Sequence, residues 1–263
     1  MKKLKIAAMG VEHRHIFGQI TGMLDVGCEF VGWWTENDNR ISNDLEKKFP
    51  DITRIKDKYV LLNDTDIDLI LIADIPSKRA SLAIECMNAG KDVMLDKPGC
   101  TNLEQLQEIK NTIDKTKQIF SIDFSERFEV PSVQMASNLI KNGEIGKVVQ
   151  TIGFGPHRLN IDTRPEWFFD DELNGGILCD IASHQIDQFL FFTKYSTNFF
   201  YVLNNHMISE NFDKLFQAAK DVRDKAHVPY SKFKVGAAFL TERDTIISGC
   251  NVENAAYPQS QCA

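Results

Sequence analysis

The stretch KIAAMGVEHRH, residues 5–15, decides the fold. Lys5–Met9 is an apolar run of strand length, Gly10 breaks it, and a helical pattern of apolar residues takes over at Ile16 and runs to Val26. A strand, a glycine turn and a helix in that order can seat a phosphate on the helix amino terminus. Only the first glycine of G-x-G-x-x-G is present, at Gly10. His13, Arg14 and His15 occupy the turn and are candidate phosphate donors; a helix cap with surface contacts is the alternative.

Outward from this turn the same alternation continues. Strands are expected at Phe30–Trp34, Leu69–Ala73 and Asp92–Leu95, and helices at Arg40–Phe49, Lys78–Ala89 and Leu103–Thr116. Strands separated by helices of about 10–15 residues predict βαβ units and a parallel sheet. Runs such as LILIA at 69–73 suit a sheet covered on both faces. The fold class is therefore α/β, a doubly wound parallel sheet over residues 1–123.

From Phe124 the texture changes. Pro131–Lys141 reads as a helix, Lys147–Phe154 as a strand, and GPHRLN with RPEWFFDDELNGG as a loop before a helix at Ile177–Thr193. This is the start of an α+β domain, 124–193, expected to be incomplete because one strand makes no stable sheet. Residues 194–206 (KYSTNFFYVLNNH) match neither neighbour and read as a junction. Met207 opens an amphipathic helix with Phe212, Leu215, Phe216 and Ala219 on one face, followed by strands near Lys234–Leu240 and Thr245–Gly249.

A net charge of -7 argues against nucleic acid or an anionic membrane as partner. No run approaches the roughly 18 apolar residues of a membrane span. The apolar run of the first residues is too short for a signal peptide, so a cytoplasmic protein is expected. The six cysteines form no C-x-x-C pair and read as buried thiols, Cys262 excepted.

Three elements carry a family likeness: Gly10-Val11-Glu12-His13-Arg14-His15, Asp96-Lys97-Pro98, and Gly175-Gly176-Ile177-Leu178-Cys179-Asp180-Ile181-Ala182-Ser183-His184. In this order they resemble the G-x-x-H-x-H, E/D-K-P and G-G-x-L-x-D-x-x-x-H elements of the Gfo/Idh/MocA NAD(P)-dependent oxidoreductases. The resemblance covers residues 1 to about 193 and implies a Rossmann domain that binds NAD or NADP at Gly10, His13, Arg14, His15, Lys97 and Pro98. Thr35, Glu36 and Asp38, after the second strand, are the ribose-contact candidates, an acidic side chain favouring NAD. By resemblance His184 is the acid/base, Asp180 orients substrate or imidazole, Lys97 contacts substrate and cofactor, and Pro98 follows a cis peptide bond. Residues four apart share a helix face, and Asp180 with His184 equally suits a structural pair or a metal site. Lys97 alone would read as a solvated lysine before a proline turn. His157 and Arg158 line either the substrate cleft or a surface loop. The implied chemistry is hydride transfer between nicotinamide and a sugar- or polyol-type alcohol, with turnover expected to be low because the second domain is incomplete.

The segment HVPYSKFKVGAAF…ISGCNVENAAYPQSQCA resembles the amino-terminal part of cytidine deaminase. The likeness covers 207–263 and implies an incomplete α/β fragment. It makes Cys262 a zinc ligand and places Phe233, Asn251 and Glu253 at nucleoside-binding positions. In that family a glutamate follows Cys-Ala, and a later P-C-x-x-C gives two more ligands. A lone thiolate does not hold catalytic zinc, so neither deaminase activity nor stoichiometric zinc is expected there. The leading reading is an oxidoreductase joined to an inactive deaminase fragment. The alternatives are a working cytidine deaminase, if the frame continues past Ala263, and a non-catalytic fusion product. Cuts at strand edges also make self-association an expectation.

Overall fold

The computed structural model describes residues 3–146, 148, 161–193, 208–229, 234, 236–240 and 245–250. The chain divides into two compact units, Met1–Lys194 and Tyr195–Ala263.

In the first unit, β1 (Lys5–Val11), α1 (Ile16–Asp25), β2 (Glu29–Trp34), α2 (Arg40–Lys48), α3 (Lys58–Asn63), β3 (Leu69–Ala73), α4 (Pro76–Asn88), β4 (Asp92–Asp96), α5 (Leu103–Thr116) and β5 (Phe120–Asp123) follow in order. The sheet order is β2-β1-β3-β4-β5, and every pairing is parallel. Alternation along β1 sends Ile6 and Ala8 to one face and Ala7 and Met9 to the other, all fully buried. The Ala7 and Met9 face packs with Ile70, Ile72, Val93 and Leu95 under Leu82, Ala83, Cys86 and Met87 of α4. The other packs with Leu71 and Ala73 against Ile16 and Ile20 of α1, and with Trp33 and Leu45. Each such aliphatic side chain contributes roughly 1.5–3 kcal/mol on burial.

Caps fix the helix starts. The Asn39 side chain accepts from the Ser42 N–H at 2.9 Å while Ser42 Oγ accepts from the Asn39 N–H at 3.0 Å. Asn102 caps α5 by accepting from the Gln105 N–H at 2.9 Å.

Two elements of this domain escape the periodicity reading. Helix α3 has six residues, too few to show a period, and starts on an Asp57 cap. Strand β5 has four half-buried residues and follows directly on α5.

Beyond the sheet come α6 (Ser125–Glu129) and α7 (Pro131–Lys141). The segment read as a loop before Ile177 contains helical turns at Ile161–Thr163 and Glu166–Phe169 and a short helix α8 (Asp171–Asn174), started by the Asp170 side chain. The helix expected from Ile177 begins as a π-helical turn at Leu178–Ala182 and becomes α9 (Ser183–Thr193). Of the strand expected at 147–154 only Val148 is among the described residues, and the junction at 194–206 lies outside them.

In the second unit α10 (Ile208–Arg223) packs on an antiparallel pair, β6 (Gly236–Leu240) and β7 (Ile246–Cys250), with Gly236 opposite Cys250 and Leu240 opposite Ile246. Among the described residues no helix is long and apolar enough to cross a membrane. The cysteines are less buried than expected: Cys28 and Cys86 are buried, but Cys100, Cys179 and Cys250 are partly exposed.

Candidate active site

In a doubly wound sheet the ligand crevice lies at the carboxyl ends of the strands where the order reverses, here between β1 and β3. Gly10 sits there with φ +71°, and a Cβ on it would lie 2.6 Å from both Cβ and Oδ2 of Asp74. Only glycine fits so close an approach. Helix α1 carries no acidic residue in its first turn. The close-packed Gly10 turn fits the approach of a dinucleotide, which Gly10 and the N–H groups at the start of α1 would hold.

The rest of the turn departs from a glycine-rich cradle. The N–H groups of Glu12 and His13 both donate to the Ala73 carbonyl, at 3.0 and 2.8 Å, and the Val11 N–H donates to Thr35 Oγ1 at 3.2 Å. Burial and then the neighbouring Asp74 raise the pKa of Glu12. The candidate phosphate donors His13 and His15 both direct Nδ1 at Asp96. His15 Nδ1 is hydrogen-bonded to Asp96 Oδ1 at 2.9 Å, and His13 Nδ1 lies 2.9 Å from Asp96 Oδ2. Burial holds His13 neutral, with a pKa lowered to about 4 against the pull of Asp96. Arg14 is exposed. Glu36 is paired with Lys78 at 2.8 Å and Asp38 with Arg54 at 2.5 Å, while Thr35 is buried.

Asp96, at the end of β4, is the hub. Arg79 of α4, fully enclosed, donates to Asp96 Oδ2 at 2.9 Å, to the Asp74 carbonyl at 2.7 Å, and to the carbonyls of Asp96, Lys97 and Pro98 at 2.9, 2.5 and 3.2 Å. Burial alone would raise the Asp96 pKa; Arg79 and the two histidines outweigh it and hold the carboxyl well below its ordinary value. The Lys97–Pro98 bond is cis, as the resemblance implies.

Lys97 Nζ, itself buried, donates to Asp180 Oδ1 at 2.5 Å and to the Asp180 carbonyl at 2.7 Å. Burial opposes ionisation of Asp180, but Lys97 prevails and lowers its pKa. A cavity is lined by His13, Asp96, Lys97 and Asp180 together with Trp167 and Asn174. The buried Trp167 Nε1 has no hydrogen-bond partner among the described residues. Asn174 is placed by its donation to the Phe168 carbonyl. His184 is 2% exposed, stacks edge-on to Phe124 at 5.9 Å between ring centres, and is not among the lining residues.

The structure thus brings Lys97, Asp180 and His13 to one cavity. Arg79, Trp167 and Asn174 were missed: Arg79 lies in an ordinary helix pattern, and the other two in a stretch read as loop. Asp96 was visible only as the first residue of D-K-P. His157, Arg158, Phe233, Asn251, Glu253 and Cys262 lie outside the described residues.

Residues 22–124 match the model for the oxidoreductase family with the NAD-binding Rossmann fold, and residues 133–229 that for the GFO/IDH/MocA C-terminal domain. A crystal structure from Erwinia carotovora atroseptica is 32% identical, covering 97% of this chain and 71% of its own, with a TM-score of 0.72. The chain belongs to the GFO/IDH/MocA oxidoreductase family. Within the family, myo-inositol 2-dehydrogenase of Thermotoga maritima is 28% identical over 135 residues, 50% of this chain and 38% of that protein.

Residues 209–263 match the cytidine and deoxycytidylate deaminase zinc-binding region. Cytidine deaminase of Sporosarcina psychrophila is 55% identical over 51 residues, 19% of this chain and 38% of that protein. Both matches include residues 209–229, which hold α10 of the second unit. The chain spans about two fifths of the length of the curated relatives it matches.

Proposed function

We propose that the first unit is a nicotinamide-dinucleotide-dependent dehydrogenase acting on a sugar- or polyol-type alcohol. The observation that carries this reading is the buried Lys97–Asp180 pair in a cavity beside the Gly10 crevice. The bound dinucleotide supplies the hydride acceptor, held by Gly10 and the start of α1. Lys97 orients the substrate oxygen as a hydrogen-bond donor, and Asp180 holds the ammonium in place. Trp167 Nε1 offers a second donor for a substrate hydroxyl; an unpaired buried donor is costly until a ligand satisfies it. His184, four residues from Asp180 on the same helical run and outside the cavity lining in the ligand-free state, takes the hydroxyl proton in this reading once bound substrate brings the two within reach. A π-helical turn at such a place is a frequent mark of function.

The test is oxidation of a panel of inositols and aldoses with NAD and NADP, alongside a dinucleotide titration. Turnover abolished by Lys97→Met with dinucleotide affinity kept supports the reading. Absence of dinucleotide binding by the intact protein overturns it.

The second unit is, in the same proposal, a deaminase-related region in which Cys262 is the matched zinc ligand.

A further inference from the structure

We propose that His13, His15 and Asp96 form a binding site for a divalent transition-metal ion of the zinc class, set in the wall of the Lys97–Asp180 cavity. One ligand atom from each of the three lies within 4.8 Å of the others. The imidazole rings stand 4.2 Å apart at 81°, so they meet at Asp96 from two directions.

Hydrogen bonding accounts for only part of this cluster. His15 Nδ1 is hydrogen-bonded to Oδ1. His13 Nδ1 comes as close to Oδ2, 2.9 Å, yet it is buried and without a hydrogen-bond partner among the described residues. A contact of that length lacking hydrogen-bond geometry is what two ligands of one ion would make. Arg79 on Oδ2 does not compete for this role, since ligating carboxylates are themselves held by outer hydrogen bonds.

Charge points the same way. Asp96 is balanced by Arg79, Asp180 by Lys97, and Asp187 by Arg127. Asp123, at the end of β5, and Glu129 of α6 have no ion pair among the described residues. Both lie near the start of α1: His15 acts on Asp123, and Glu129 Oε1 lies 3.1 Å from where a Cβ on Gly18 would be. These two carboxylates add negative charge beside the two imidazoles, which favours a cation there.

Two imidazoles and a carboxylate suit zinc, cobalt, nickel or iron rather than magnesium or calcium, and leave coordination positions open. His13 and Asp96 both line the cavity, so an open position there would take a water or a substrate oxygen and lower its pKa. The site holds no thiolate.

The experiment is a cobalt(II) titration of the chelator-stripped full-length protein, followed by visible absorption and elemental analysis. One equivalent of cobalt is expected, with ligand-field bands and no thiolate charge-transfer band. His13→Gln and His15→Gln should each weaken it at least about tenfold, with folding checked by circular dichroism. The wild-type spectrum decides by itself should a variant fail to fold. Absence of ligand-field bands, or uptake carrying only the thiolate signature, overturns the site. The readout needs no turnover, so it fails or succeeds independently of the dehydrogenase reading.

Discussion

Lys97 Nζ and Asp180 Oδ1 meet at 2.5 Å across 83 residues of sequence, tying the end of β4 to the π-helical turn before α9. Lys97 is 5% exposed at its side chain and Asp180 21%, so neither charge is well solvated. Removing one partner leaves the other buried and uncompensated, which costs about 3 kcal/mol or more. Asp180→Asn is therefore expected to lower Tm and to cut kcat/KM on the substrate alcohol about 100-fold. Thermal melts and steady-state kinetics read the two effects separately.

The same pair sets a pH dependence. Asp180 has a folded-state pKa below its ordinary 3.8, because Lys97 outweighs burial. Its contribution to stability is complete above pH 3.8 and is lost as pH falls through the lower, folded value. The stability gap between wild type and Asp180→Asn should be constant from neutral pH down toward 4 and close below it. Urea melts across that range measure it; a gap that widens on acidification contradicts the assignment.

Gly10→Ala should be poorly tolerated. The backbone at φ +71° strains any L side chain, and the new Cβ would lie 2.6 Å from Asp74. A loss of roughly 1–3 kcal/mol is expected, with dinucleotide affinity falling alongside because the crevice is displaced. Equilibrium unfolding with a fluorescence titration of the reduced cofactor tests both.

Arg79→Met removes the donor that gathers the carbonyls of residues 96–98 and leaves Asp96 without its guanidinium. A cost of about 3–5 kcal/mol is expected. Arg79→Lys should recover only part of it, since a lysine cannot reproduce the planar fork. Denaturant midpoints for the two variants give the comparison.

Much of the sheet domain was legible in consecutive residues. The run at 5–15 announces strand, turn and helix because alternation and helical period are local properties, and caps such as Asn39 and Asn102 are single residues with fixed geometry. Short elements were not: α3 and β5 hold too few residues to establish a period.

What the sequence by itself determined was the order of the elements and the three motifs that identify the family. The tertiary structure alone decided which groups meet. His15 reaches Asp96 across 81 residues, and Arg79 clamps a backbone 17 to 19 residues away. Trp167 and Asn174 enter the cavity from a stretch with no regular period. Such contacts depend on strand order and on how loops pack over the sheet ends, which are sums over many distant interactions and leave no periodic trace in the chain.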